Sequence, residues 1–354
     1  MTGERRPLVM TADTELLDDM LGAAAAVGVA VDVAVDPHAC RPQWTTAPLV
    51  LIGADIMPAL VGASLRPRPG VLLVGRGAPG EVEWTGAARA GAEDVVGLPA
   101  GETVLLERLA DVVDPPGSGR VIGVLPGRGG AGASVLAAAV ALTAASRGDA
   151  AWLIDLDPLG GGADAGLGAE LETGARWDDL GSVAGRVSSR ALRDALPEVC
   201  GVAVLACGGR SDADPAPAAV RAVLAATRRG GGTAVVDLPR HSGKVLDEAL
   251  AAVDEVLLVV PAEVRAVLAA RQLVRRFSSP LSDVRVVVRG VADGLPPHEV
   301  AQGLGLSLAG DYSEEPAVCA ALLNGDPRDL VRGTELGALC HRILDRSASR
   351  SRAS

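Results

Sequence analysis

Residues 121–148, VIGVLPGRGGAGASVLAAAVALTAASRG, constrain this chain more than any other segment. A buried-strand pattern feeds a glycine loop, and the loop opens a helix of nearly pure Ala, Val and Leu. Glycine tolerates unusual φ and lets the backbone approach a ligand, while a helix N-terminus presents free N–H groups to an anion. Against the phosphate-binding pattern G-x-x-x-x-G-K-[ST], the run Gly127, Arg128, Gly129, Gly130, Ala131, Gly132, Ala133, Ser134 fits at every required position but one. The lysine is Ala133. Ser134 keeps a hydroxyl suited to the magnesium side of a nucleotide. The same residues satisfy G-x-G-x-x-G through Gly127, Gly129 and Gly132, with Asp155, 23 residues after Gly132, as a ribose-binding acid. A tight turn without a ligand is the third reading, and the loop alone leaves all three open.

The 354 residues suit about two domains. Over residues 7–113, short apolar runs alternate with Ala-rich amphipathic stretches. LVMTAD (8–13), VAVDVAV (29–35), PLVLIGAD (48–55), GVLLVG (70–75) and DVVGLP (94–99) read as strands, with helices across 15–27 and 103–113. That alternation predicts a small parallel sheet with crossover helices in domain 1–113. Residues 114–119, DPPGSG, read as a linker, because two prolines and two glycines continue neither period. The second domain spans 120–345, and the Ser/Arg-rich segment 346–354 is expected to be a disordered tail.

Composition excludes several classes. The net charge is −11, from 33 basic and 44 acidic side chains, and aromatics are only 2%. An acidic chain argues against a broad phosphate-tracking surface, and scarce aromatics argue against base stacking, so no sequence-specific nucleic acid is expected as a partner. Cys40, Cys200, Cys207, Cys319 and Cys340 contain no C-x-x-C pair and read as small buried residues in a reducing cytoplasm. His38, His241, His298 and His341 are scattered, so they form no metal set in the sequence. No apolar run reaches the 18 or so residues of a membrane span, and MTGERRPLVMTAD enters a strand without a signal-peptide core. A soluble, cytoplasmic protein is the expectation. Lys244 is the only lysine, so any mechanism that needs one has a single candidate.

Downstream segments add order to the glycine loop. AWLIDLDPLGGGAD (151–164) is a strand ending in Asp155-x-Asp157-Pro158, and GTAVVDLPRHSG (232–243) is a strand ending at Asp237. VDEVLLVVPAEVRAVLAARQLV (253–274) reads as strand then helix, and VRVVVRG (284–290) as a further strand. AGDYSEEPAVCAALLNGDP (309–327) reads as a polar loop, a helix and a stop. In this order they resemble the MinD/ParA branch of deviant-Walker P-loop ATPases. Within that branch they resemble the CpaE-like, septum-site-determining group, in which a receiver-like domain precedes the ATPase domain. The resemblance covers residues 7–345. It implies an α/β chain: a degenerate receiver-like (flavodoxin-like) parallel-sheet domain followed by a MinD/ParA-like P-loop parallel-sheet domain.

The resemblance also implies roles. Arg128 stands for the signature lysine that reaches across an ATP-sandwich dimer, and Ala133 for the general P-loop lysine. Gly127, Gly129, Gly130 and Gly132 supply phosphate-binding backbone. Asp155 and Asp157 would organise the attacking water and the switch. Ser134 and Asp237 would hold magnesium, Asp237 through water. Arg289 stands where a base-contacting asparagine is expected, and Glu314, Glu315 and Pro316 fall in the loop near the base. ATP and magnesium are the implied cofactors. A homodimer and cell-division or secretion/pilus proteins are the implied partners, with a membrane surface, peripheral at its inner face, less favoured.

The implied function is spatial regulation of septum placement or of a secretion or pilus apparatus, with weak or lost ATP hydrolysis. A nucleotide-free scaffold is the alternative. An NAD-type dinucleotide protein is third, since no His/Tyr/Lys catalytic set accompanies the glycines. A charge-assisted hydrogen bond contributes about 1.5–3 kcal/mol, so alanine at 133 removes roughly one to two decades of affinity and more at the transition state. In the first domain Asp13 and Asp55 stand as remnants of a receiver's acidic cluster, but the lysine expected before Pro99 is Leu98. A fold without phosphotransfer follows.

Lys244 has two readings: a solvated residue at a helix start, which is favoured, or a replacement for the missing charge. The ion-rich stretch 174–197 reads as a surface helix pair, and Arg228, Arg229, Arg275 and Arg276 as solvated arginines. Leu336, Leu339, Ile343 and Leu344 give one apolar helical face, with docking into the core favoured over membrane targeting.

Overall fold

Valine- and leucine-rich runs, buried on both faces, build two parallel sheets. A computed structural model describes residues 6–35, 40–62, 65, 68–113, 117, 119–162, 164–169, 172–181, 186–207, 214–275, 283–290, 294–324 and 326–351. The chain divides into two compact units, residues 1–115 and 116–354. His38, Arg276 and residues 114–116, 118 and 352–354 lie outside the described residues.

The first unit runs β1 (Leu8–Met10), α1 (Thr14–Ala26), β2 (Asp32–Ala34), α2 (Arg41–Thr46), β3 (Val50–Gly53), α3 (Met57–Gly62), β4 (Val71–Arg76), α4 (Glu81–Ala90), β5 (Asp94–Leu98) and α5 (Glu102–Val113). The strands form one parallel sheet in the order β2-β1-β3-β4-β5. Successive strand residues point to opposite faces, and each face has its own core. Leu8, Met10, Val50, Ile52 and Leu73 pack with Trp44 and Met57, while Val9, Leu51, Leu72 and Val74 pack with Leu16, Met20, Leu105 and Leu109.

The second unit runs β6 (Arg120–Pro126), α6 (Ala133–Ser146), β7 (Ala151–Asp155), α7 (Ser189–Ala195), β8 (Glu198–Val199), β9 (Val202–Leu205), α8 (Pro217–Arg229), β10 (Thr233–Asp237), α9 (Lys244–Ala252), β11 (Glu255–Pro261), α10 (Val264–Val274), β12 (Val284–Arg289), α11 (Pro297–Leu304), β13 (Ser307–Tyr312), α12 (Pro316–Asn324) and α13 (Glu335–Ser351). Eight strands lie in the order β13-β12-β11-β6-β10-β7-β9-β8, all parallel except β8 against β9. One face carries residues of α7 to α11, and the other carries α6, α12 and α13. α6 sits at the centre of its face because alanine at 137, 139, 141 and 144 lets it approach the sheet closely, and all four are fully buried.

Several expectations change. Gly119, in the expected linker, is buried and its N–H donates to the Arg228 carbonyl, so it belongs to the second unit. Residues 307–312, expected in part as a polar loop, form the edge strand β13. In the expected surface pair 174–197, the described residues hold one short helix and a 3-10 turn whose Trp177 is buried. The apolar face of α13 packs into the core as favoured, with Leu336, Leu339, Ile343 and Leu344 no more than 1% exposed. That helix continues through Ser351, where a disordered tail is expected from 346. Cys40 and Cys340 are buried, but Cys200 and Cys319 are exposed, Cys200 in the turn between β8 and β9 and Cys319 on the open side of α12. Arg228 and Arg229 are tied down by the carbonyls of Ala252 and Val187. No helix among the described residues is long and apolar enough to cross a membrane.

Candidate functional site

The glycine loop leaves the sheet at the C-terminal end of β6. Gly127 N–H donates to the Val259 carbonyl at 2.8 Å, which pins the loop to β11. Gly130 and Gly132 have φ of +69° and +93°, the left-handed region that excludes most side chains. Gly132 caps α6. A Cβ at Gly129 or Gly130 would meet nothing within 4 Å, so the loop presents bare backbone to open space. Ala133 is buried and carries no charge.

Two neighbouring strands bring acids to the same end. Asp155 of β7 and Asp237 of β10 are register partners and are 2% and 3% exposed. The Asp157 N–H donates to Asp155 Oδ1 at 2.9 Å, which folds the chain after β7 back onto its own carboxylate. The Trp177 indole N–H donates to the Asp155 carbonyl at 2.7 Å and locks the strand end. Nothing local in the sequence distinguishes Trp177 from a surface residue. The Ser134 hydroxyl hydrogen-bonds the Asp237 carboxyl. Even so, burial, with the charges of Asp155 and Asp157 added, pushes that carboxyl up to about 7. Burial and the negative charges of Asp155, Asp178, Asp157 and Asp164 also push the Cys207 thiol up to about 12, so it stays protonated and inert.

The cations are arranged less simply. Arg128 Nη2 pairs with Glu263 at 2.9 Å on its own chain, and its Nε is buried without a hydrogen-bond partner among the described residues. Lys244 lies exposed at the start of α9, with no hydrogen bond or ion pair among the described residues. Arg289, at the end of β12, donates from Nη1 to the Gly130 carbonyl at 3.3 Å and pairs through Nη2 with Glu314 at 3.1 Å. The Glu315 carboxylate caps α13 by accepting from the N–H groups of Glu335 and Leu336, and Pro316 begins α12. A cleft of about 590 Å³ opens beside Gly129 and Asp157, walled by Arg240 and His241 and by Ala269, Gln272 and Leu273 of α10.

Thus loop, Ser134, Asp155, Asp157 and Asp237 converge, while Arg128 and Arg289 flank the loop from two sides. Among the described residues, no group of three or more His, Cys, Asp or Glu could hold a metal ion by itself. One hydroxyl beside converging carboxylates suits a magnesium ion that keeps water and phosphate in its shell. The open glycine backbone and the orphaned Arg128 Nε suit a phosphate chain. Topology separates two readings of the loop. In a dinucleotide fold the strand after the glycine helix lies beside the first, but here β10 lies between β6 and β7.

In the first unit, Asp55 is already committed. Its carboxylate accepts from the Thr11 hydroxyl at 2.7 Å and from the N–H groups of Ala12 and Asp13 at 2.7 and 3.1 Å. Asp13 in turn caps α1 through Glu15 and Leu16. Arg76 pairs with Asp19 and Glu15. The remnant acids thus hold a loop and a helix start, and Leu98 occupies the end of β5.

Residues 10–120 match the family described as Rv3660c-like, CheY-like N-terminal domain. The uncharacterized protein Rv3660c of Mycobacterium tuberculosis (strain ATCC 25618 / H37Rv) is 35% identical over 342 residues, 95% of this chain and 96% of that protein. Among solved structures, a ParA family ATPase from Chlorobium tepidum TLS superposes with a TM-score of 0.56 and 18% identity, over 65% of this chain and 98% of that one. The septum site-determining protein MinD complexed with Mg-ADP from Pyrococcus horikoshii OT3 gives 0.56 and 16%, over 66% and 98%. The MinC:MinD cell division complex of Aquifex aeolicus gives 0.54 and 21%, over 65% and 96%. These likenesses establish the fold: a CheY-like unit followed by a MinD/ParA-like parallel-sheet unit.

Proposed function

We propose that this chain, which belongs to the Rv3660c-like family, is a MinD/ParA-type positioning protein that binds a magnesium nucleotide as a switch and hydrolyses it weakly or not at all. One observation carries the reading: the glycine loop, the Ser134–Asp237 hydrogen bond and the Asp155–Asp157 turn meet at one end of the sheet. In that reading the N–H groups of the loop and of the first turn of α6 bind phosphate oxygens. Ser134 and ionised Asp237 would hold magnesium, Asp237 through water. A magnesium ion held there would supply charge neutralisation for the phosphates. Asp155 and Asp157 orient water at the terminal phosphate and sense its loss through the Asp157 backbone. Arg128 exchanges Glu263 for phosphate or for a second copy of the chain.

Alanine at 133 removes the charge that would stabilise the transferring phosphoryl group, and this favours binding over turnover. The finer role we propose is that of the CpaE-like, septum-site-determining proteins: placing a septum, or a secretion or pilus apparatus, through a homodimer and protein partners in the cytoplasm. The second reading, a nucleotide-independent scaffold, is favoured by Ala133 alone. Equilibrium titration with ATP, ADP and NAD, with and without magnesium, tests these. Saturable, magnesium-dependent ATP binding supports the switch; absence of any binding supports the scaffold; binding of NAD alone overturns both.

A further inference from the structure

Resting on the reading of the loop as a nucleotide site, we infer that Arg289 supplies the phosphate-binding cation that position 133 lacks, and that Glu314 is the counter-ion it exchanges for phosphate. The role differs from the base contact implied for position 289 by resemblance.

Arg128, Lys244, Arg289 and, across the cleft, Arg240 stand at this end of the second unit among the described residues. Arg128 is paired with Glu263, and Lys244 makes no hydrogen bond or ion pair with the described residues. Among the cations of the described residues, Arg289 is the one that hydrogen-bonds the last turn of the loop. Its Nη1 donates to the Gly130 carbonyl at 3.3 Å. A Cβ built on Gly132 would lie 2.9 Å from that Nη1 and 3.2 Å from Cδ, so the guanidinium lies against the residue that opens α6. The Tyr312 hydroxyl abuts the same point, at 3.4 Å. Burial pushes the Tyr312 phenol up to about 12, so it remains a neutral donor beside the guanidinium. An arginine and a tyrosine O–H thus meet the N-terminus of α6, where anions are favoured and where the lysine of the pattern would have contributed charge.

The Glu314 pairing is suited to exchange. Its carboxylate side chain is 65% exposed and that of Arg289 28%, and an exposed ion pair of this kind is weak. A di- or triphosphate brings several charges to a planar fork that recognises phosphate bidentately. Without ligand, Glu314 keeps the guanidinium neutralised; with ligand, phosphate replaces it. The ligand class is a nucleoside di- or triphosphate, recognised here through its phosphates rather than its base.

The test titrates a fluorescent ATP analogue with magnesium, displaced by ATP and by inorganic tripolyphosphate, into the full chain and the variants R289A, R289K, E314Q and K244A. R289A is expected to weaken both ATP and tripolyphosphate by roughly 10- to 100-fold, the range for a lost charge-assisted hydrogen bond. R289K should restore part of the loss. E314Q, which leaves the arginine in place, should tighten both ligands several-fold, and K244A should change neither. Equal tripolyphosphate binding by wild type and R289A, with ATP weakened, would assign Arg289 to the base and overturn the inference. Unchanged or tighter ATP binding by R289A, or a loss confined to K244A, would overturn it as well while leaving the nucleotide site standing. No ATP binding by the wild type at all would instead remove the site reading on which the inference rests.

Discussion

Asp237 and Asp155 are register partners on adjacent parallel strands, both almost wholly buried, with Ser134 bonded to the first and the Asp157 N–H bonded to the second. Two carboxylates so placed cannot both carry charge cheaply in a dry site. Their strand ends are therefore unfavourable without a cation, and this ties the stability of the second unit to pH and to magnesium.

The sign follows from Asp237. Its carboxyl titrates near 3.8 when exposed and at about 7 in the fold, so between those values the folded unit holds a proton the unfolded chain has released. Stability is fully present below about pH 4 and declines as pH rises to about 7. D237N removes that decline. Thermal melts without nucleotide should show D237N more stable than wild type at pH 8, by up to about 4 kcal/mol, with the gap closing toward pH 4. Magnesium-dependent nucleotide binding by the wild type should strengthen as pH rises through 7, because the ionised carboxylate is the form that meets the cation.

Gly132 combines a φ of +93° with crowded surroundings, since a Cβ there would lie 2.9 Å from Arg289 Nη1 and 3.4 Å from the Tyr312 hydroxyl. G132A should lose nucleotide binding and cost about 1–2 kcal/mol in backbone strain alone, since non-glycine residues avoid the left-handed region. Chemical denaturation and a binding titration on the same preparation check both.

In the first unit, Asp55 acts as a brace rather than a phosphoacceptor. Incubation with acetyl phosphate and magnesium should add no phosphoryl group detectable by intact mass. D55A should lower the denaturation midpoint of that unit by the equivalent of about 1 kcal/mol, because the hydroxyl and two N–H groups lose their acceptor. A phosphorylated Asp55 would contradict this.

How much of this was legible depends on distance along the chain. The loop, Ser134, Asp155, Asp157 and Asp237 announce themselves because each sits at the end of a strand whose apolar run is continuous in sequence. The two alternating halves were legible for the same reason. Trp177 and Glu315 were not, because a buried indole on a 3-10 turn and a helix cap 20 residues away have no local pattern. Arg289 reaches Gly130 across 159 residues, a meeting made by the order β12-β11-β6 that no spacing encodes. The apolar stripe of α13 was visible, but only its packing against α6 and β13 shows that it faces the core.

That packing gives a further expectation. Truncating Leu339 or Ile343 to alanine should destabilise the second unit by about 2–5 kcal/mol, as for other buried aliphatic residues. The intact chain should not float with anionic liposomes through this helix. Flotation that is lost in L339A would contradict core docking.

The most direct measurement is hydrogen–deuterium exchange of the full chain with and without Mg-ATP at pH 8. Slowed exchange is expected to concentrate in residues 127–136, at the ends of β7 and β10, and at 289–290, with the first unit unchanged. Slowed exchange confined to the first unit, or none at the glycine loop under saturating Mg-ATP, would contradict the reading of the loop as a nucleotide site.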